Sequence, residues 1–70
     1  MKKFTLYWFD GKREIVTGTD AANAMNNAGY GYGALRALDF WAHGECTDYV
    51  WDKKTGWSLT EEARIRKFGN

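Results

Sequence analysis

The stretch Phe4-Thr5-Leu6-Tyr7-Trp8-Phe9-Asp10-Gly11-Lys12-Arg13-Glu14-Ile15-Val16-Thr17 constrains the fold more than any other. Two runs rich in aromatic and β-branched residues flank Asp10-Gly11. That dipeptide supplies the positive φ angles of a two-residue type I′ turn, so the stretch predicts a β-hairpin. Such a turn sets Phe9 opposite Lys12, Trp8 opposite Arg13, Tyr7 opposite Glu14 and Leu6 opposite Ile15. Side chains alternate across a strand, so the hairpin has two unlike faces. One carries Phe4, Leu6, Trp8, Arg13, Ile15 and Thr17. The other carries Thr5, Tyr7, Phe9, Lys12, Glu14 and Val16. A single small domain is not expected to cover both faces completely.

The chain has 70 residues, enough for one domain. A chain this short buries only about 60% of its unfolded surface, and its core rarely supplies more than roughly 3–5 kcal/mol. The single cysteine, Cys46, excludes an internal disulfide and fits a reducing cytosol. One Cys and one His cannot assemble a zinc quartet. What remains is aromatic mass: four Trp, four Tyr and four Phe, each ring able to bury about 150–250 Å². At least half of these rings are needed for the core, and the others are expected to face a partner. Met1-Lys2-Lys3-Phe4 has charge but no apolar run, so no signal peptide is expected. No run of about 18 apolar residues suggests a membrane span. The expected location is therefore cytoplasmic.

After Gly18, Thr19 or Asp20 can cap a helix whose stripe is Ala21, Ala24, Met25 and Ala28, with Gly29 as its stop. The spacing predicts a helix over 20–28, with Asn23, Asn26 and Asn27 on a solvated face. Gly29-Tyr30-Gly31-Tyr32-Gly33 then reads as a loop. It lies after a helix, not before one, unlike a phosphate-binding loop, and it lacks the second signature of an RNA-recognition motif. Its tyrosines are either adaptable contact residues or rings packed over the core edge. Leu35, Leu38 and Ala42 suit a helix, whereas Leu38, Phe40 and Ala42 alternate with Asp39, Trp41 and His43 as in a strand; Phe40-Trp41 and the closing Gly44 favour a strand from Leu35 to His43 over the helix. Tyr49-Val50-Trp51-Asp52 and Trp57-Ser58-Leu59 predict a second hairpin around Lys53-Lys54-Thr55-Gly56, with Tyr49 and Trp51 facing Trp57 and Leu59. Thr60 can cap a short helix or frayed tail over 60–70. The expected fold is α+β, one domain over 1–59, with an antiparallel sheet of four or five strands in ββαβββ order and the helix on one face.

Enzymatic activity is not expected. His43 and Cys46 lie close in sequence to Asp39, Glu45 and Asp48. Spacing alone supplies neither a nucleophile pair, nor an oxyanion hole, nor a metal site, and no cofactor is expected. Nucleic-acid binding needs exposed rings interleaved with bases. Tyr7, Phe9 and Lys12 offer that locally, but the net charge is only +1, with +2 over 1–18, −4 over 19–52 and +3 over 53–70. Protein binding needs aromatic and Arg anchors within a charged rim. The candidates are Tyr7, Phe9, Lys12, Arg13, Tyr30, Tyr32 and Trp41, with Asp39, Glu45, Asp48 and Asp52 able to address a basic partner.

From Phe4-Thr5-Leu6-Tyr7-Trp8-Phe9-Asp10-Gly11-Lys12 through Trp57, the size and the hairpin–helix–strands layout resemble small cytosolic proteins of phages and other mobile elements. Some of these inhibit host machinery, anti-CRISPR proteins among them. The resemblance carries no diagnostic motif and transfers no site residues. It implies a stoichiometric binder that blocks a host or partner protein. A single-stranded nucleic-acid binder and a homodimer paired through edge strands are the alternatives.

Overall fold

The computed structural model describes residues 1–68, except for the side chain of Tyr32. The element order is β1 (Lys2–Trp8), β2 (Arg13–Gly18), α1 (Ala21–Asn27), a 3₁₀ turn (Tyr32–Arg36), β3 (Leu38–His43), β4 (Tyr49–Asp52), β5 (Gly56–Leu59) and α2 (Glu61–Phe68). The α+β class and the ββαβββ order are as the sequence predicts. The strands, however, form two antiparallel sheets rather than one. One sheet has three strands in the order β2-β1-β3, and β4-β5 form a separate pair. The strand expected from Leu35 starts at Leu38, because Tyr32–Arg36 take the 3₁₀ turn.

The first hairpin forms one residue out of the expected register. Tyr7 pairs with Arg13, Leu6 with Glu14, Thr5 with Ile15 and Phe4 with Val16. The loop holds three residues, Phe9, Asp10 and Gly11. Trp8 N donates to Lys12 O at 2.9 Å and Gly11 N to Trp8 O at 3.0 Å. Gly11 alone takes a left-handed φ, +93°, while Asp10 accepts from Lys12 N through its carboxylate. A three-residue loop with a left-handed glycine is the next commonest hairpin after the two-residue kind. A one-residue slip exchanges the faces of a strand. Glu14 and Val16 therefore join Phe4, Leu6 and Trp8, and Arg13, Ile15 and Thr17 join Thr5 and Tyr7. Burial agrees: Val16 is 5% exposed and Ile15 48%.

The Phe4–Leu6–Trp8 face packs on α1 through Val16, Ala24 and Met25. The helix starts on Asp20, whose carboxylate accepts from Asn23 N at 2.8 Å. It can lie close to β2 because Gly18 has no side chain; a Cβ there would stand 2.4 Å from Ala24 N. The opposite face is not left open. Tyr7 stacks on Phe40 at 4.6 Å and meets the rings of Tyr49 and Trp57 edge-on at 5.2 and 4.8 Å. The β4–β5 hairpin brings these rings across, with Tyr49 paired to Leu59 and Trp51 to Trp57. Both faces of β1 are thus covered, and Phe4, Thr5, Leu6, Tyr7 and Trp8 are all buried. α2 closes this layer. Its cap is Thr60, its buried residue is Ala63, and Arg66 pairs with Asp48 at 3.0 Å. Residues 69–70 of the expected 60–70 helix or tail lie outside the described residues.

Candidate functional site

Three rings stand exposed among the described side chains: Phe9 at 59%, Trp41 at 41% and Phe68 at 75%. Trp41 is the one that borders a cavity. The alanine-rich α1 is held over β2, where Thr19 N donates to Asn23 Oδ1 and Asn27 Nδ2 donates to Thr17 O. Asn23 and Asn27, expected on a solvated face, are therefore the stitches that position the helix. Because α1 covers the β2 side of the sheet, the β3 side is left with an open groove of about 490 Å³. Phe4, Met25 and Leu38 line it, Trp41 and His43 form a wall, and Leu35, Lys2 and Asp20 stand at its mouth. Trp41 is braced edge-on by Phe4 at 5.4 Å and by His43 at 5.0 Å. Leu35 is 52% exposed. A second hollow of about 400 Å³ lies across Met25 and Leu35, lined also by Asn23, Asn26, Tyr30 and Gly31. Sizes of this order suit a small ligand or the anchor side chain of a partner.

The other candidates from the sequence are scattered. Tyr7 is fully enclosed, and its hydroxyl donates to Cys46 O at 2.9 Å. Burial, then this hydrogen bond, raises its pKa far above the usual phenol value. Its ring is spent on packing and is not available to a partner. Phe9 and Lys12 sit exposed at the hairpin loop, where Phe9 N donates to Ala37 O at 2.9 Å and ties the loop to the start of β3. Arg13 is exposed on the face opposite the groove. Tyr30 lies half-buried against Trp8, and its hydroxyl donates to Glu14 Oε1, a bond that raises its pKa. The side chain of Tyr32 lies outside the described set. Asp48 serves α2 through Arg66 and through its carbonyl, which accepts from Thr60 N. Of the other acids, Glu45 pairs with Lys3 at 2.6 Å and Asp52 accepts from Lys54 N. Asp39 is exposed at the irregular start of β3. Of the ring candidates whose side chains are described, only Trp41 lines the groove.

Sequence reasoning missed Met25, Leu35 and Lys2 as groove residues. Their shared role depends on where α1 sits over the sheet, and no local spacing encodes that position. His43 points to the α1 face, whereas Cys46 is held on the other side by Thr5 and Tyr7. Among the described residues no three His, Cys, Asp or Glu side chains converge as metal ligands. No described helix is long and apolar enough to cross a membrane. Compared with protein-family models, curated proteins and solved structures, the chain matches none.

Proposed function

We propose that the chain is a non-enzymatic, cytoplasmic binding protein that blocks or modulates a partner protein through the groove between α1 and β3. The observation that carries this reading is Trp41. It is 41% exposed, yet Phe4 and His43 hold it edge-on beside an apolar cavity. A large ring that is already ordered loses little freedom on binding, and such rings dominate interface energetics. Leu35 supplies a second apolar contact on the same rim, and Lys2, Asp20 and His43 supply the polar surround that protein interfaces favour. The small size and the hairpin-first layout support a phage- or mobile-element-encoded inhibitor of host machinery, of the anti-CRISPR kind.

The test is co-purification from a host lysate followed by titration with the recovered protein. A one-to-one complex is expected, weakened at least about tenfold by Trp41→Ala, the size of a modest hot spot. Ile15→Ala, on the far face, should bind as the wild type does. Equal binding by Trp41→Ala would refute the groove as the contact. Single-stranded oligonucleotide binding that falls steeply with salt would favour the nucleic-acid alternative instead.

A further inference from the structure

We infer that the groove's partner is an extended segment of protein chain that adds to the sheet along the free edge of β3, at Trp41 and His43; the inference deepens the groove reading and rests on it. β3 has one strand neighbour, β1. Antiparallel pairs alternate between residues that exchange backbone hydrogen bonds and residues that exchange none. Gly44 N donates to Lys3 O at 2.7 Å, which sets the phase. Moving along β1 from there, Thr5–Ala42 and Tyr7–Phe40 are the bonded pairs, and Phe4–His43 and Leu6–Trp41 the unbonded ones. The N–H and C=O groups of Trp41 and His43 therefore point away from β1. Among the described residues no turn bond reaches them, and side chains reach backbone carbonyls only at Gly44, Cys46, Thr17 and Trp8. The other edge of the sheet is engaged, since Asn27 Nδ2 of α1 donates to Thr17 O of β2.

Those backbone groups and the side chains beside them define the occupant. Donors and acceptors repeating at strand spacing are matched by another extended backbone, the chemistry of strand addition. Phe40–His43 carries no Lys, Arg, Asp, Glu or Pro to repel one. The irregularity in the β1–β3 pairing lies outside this stretch, between Phe40 and Leu38. Trp41 and His43 are also the two residues that form the groove wall. In an antiparallel addition, the residues opposite Trp41 and His43 turn their side chains to the groove face, with Cβ atoms about 4.5–5.5 Å from those of Trp41 and His43. The residue between them points to the other face, beside Ala42. Trp41 and Leu35 are both exposed on the groove side, so the position opposite Trp41 takes an apolar side chain. The segment is thus held by its backbone at every second residue and by one apolar anchor.

The probe is a short acetylated and amidated peptide that alternates Thr and Val around a central Phe, with one added lysine for solubility. Amide hydrogen exchange read by nuclear magnetic resonance reports the edge directly. In the free chain, the amides of Trp41 and His43 should exchange fast and those of Phe40 and Ala42 slowly. The peptide should bind with a Kd below about 1 mM and protect Trp41 and His43. His43→Pro removes the outward N–H, a change that edge strands tolerate. It should bind at least about tenfold more weakly than His43→Ala, which keeps that N–H. If the proline variant does not fold, N-methylated peptides decide: methyls on every second amide should abolish binding, and methyls on the amides between them should not. No binding at about 1 mM, equal binding by the proline and alanine variants, or an N-methyl series without alternation would each overturn the inference. So would slow exchange of Trp41 and His43 in the free chain, which would mean that the edge is already covered, by a second copy if the protection grows with concentration. If the peptide fails while a captured partner still needs Trp41, strand addition is overturned and the groove reading stands. If a captured partner binds Trp41→Ala equally, the groove reading falls and this inference with it.

Discussion

The hydroxyl of Tyr7 crosses from near the C-terminal end of β1 to the turn that leaves β3, and it ends on Cys46 O at 2.9 Å. Thr5, on the same face, does parallel work: its Oγ1 donates to Gly44 O at 2.7 Å and accepts from Cys46 N at 2.9 Å. Two side chains of the central strand thus fix the path toward β4. Tyr7→Phe keeps the ring stack but leaves a carbonyl without its donor. It is expected to cost about 1–2 kcal/mol in urea unfolding. The same residue sets the alkaline limit. Burial, and then the bond to Cys46, raise its pKa in the fold far above the ordinary phenol value. Its stabilising contribution is whole below the unfolded value and is lost as pH climbs through the folded one. Stability should therefore fall above pH 10, less so in Tyr7→Phe, as read by unfolding curves alongside tyrosinate absorbance. Gly11 is the other residue with no substitute. Its φ is +93°, and a Cβ there would stand 2.6 Å from the Trp51 ring. Gly11→Ala should cost roughly 1–3 kcal/mol, whereas Gly33→Ala, with nothing within 4 Å, should fall within about 0.5 kcal/mol of wild type.

At the scale of elements, the parts that local chemistry dictates were legible in the sequence. The β4–β5 hairpin follows from the alternation of Tyr49 and Trp51 against Trp57 and Leu59, with Gly56 at φ +78° where the turn needs it. Asp20 and Thr60 cap the two helices as their side chains allow. The register of the first hairpin was not legible. Asp10-Gly11 serves a two-residue loop with two left-handed residues, or a three-residue loop with one, and both leave an apolar residue on each face of β2. What decides is tertiary: Tyr30 reaches Glu14, and Val16, not Ile15, meets the α1 side. The groove was illegible for the same reason, since it exists only where α1 fails to cover β3. The register has a direct check. Val16→Thr places a hydroxyl in the core and should cost about 1–2 kcal/mol, while Ile15→Thr on the exposed side should change stability by less than about 0.5 kcal/mol. The reverse ranking in thermal unfolding would restore the type I′ register.

Across the whole molecule, β1 is the only strand among the described residues that is buried from both sides, and each outer layer makes sense only with the other in place. The α1 layer supplies aliphatic packing from Ala24 and Met25. The β4–β5–α2 layer supplies rings and polar ties: Trp57 Nε1 donates to Trp8 O at 2.8 Å, Trp51 seats on Gly11, and Lys67 lies over Tyr49 at 5.7 Å. Ion pairs add little, because Lys3–Glu45 is exposed at both ends and the basic end of Arg66–Asp48 is exposed too. Raising salt should therefore barely move the unfolding midpoint. Removing a layer should be decisive. A buried ring contributes roughly 4–6 kcal/mol of gross apolar transfer. A chain of this length has a net margin of only about 3–5 kcal/mol. Deleting residues 48–70 uncovers Tyr7 and Phe40 and removes Tyr49 and Trp57 from the cluster. Even partial loss of those contacts exceeds the margin, so the shortened chain should lose its near-ultraviolet dichroism and its cooperative transition. If it kept both, the two-sided burial of β1 would not be what holds the fold together.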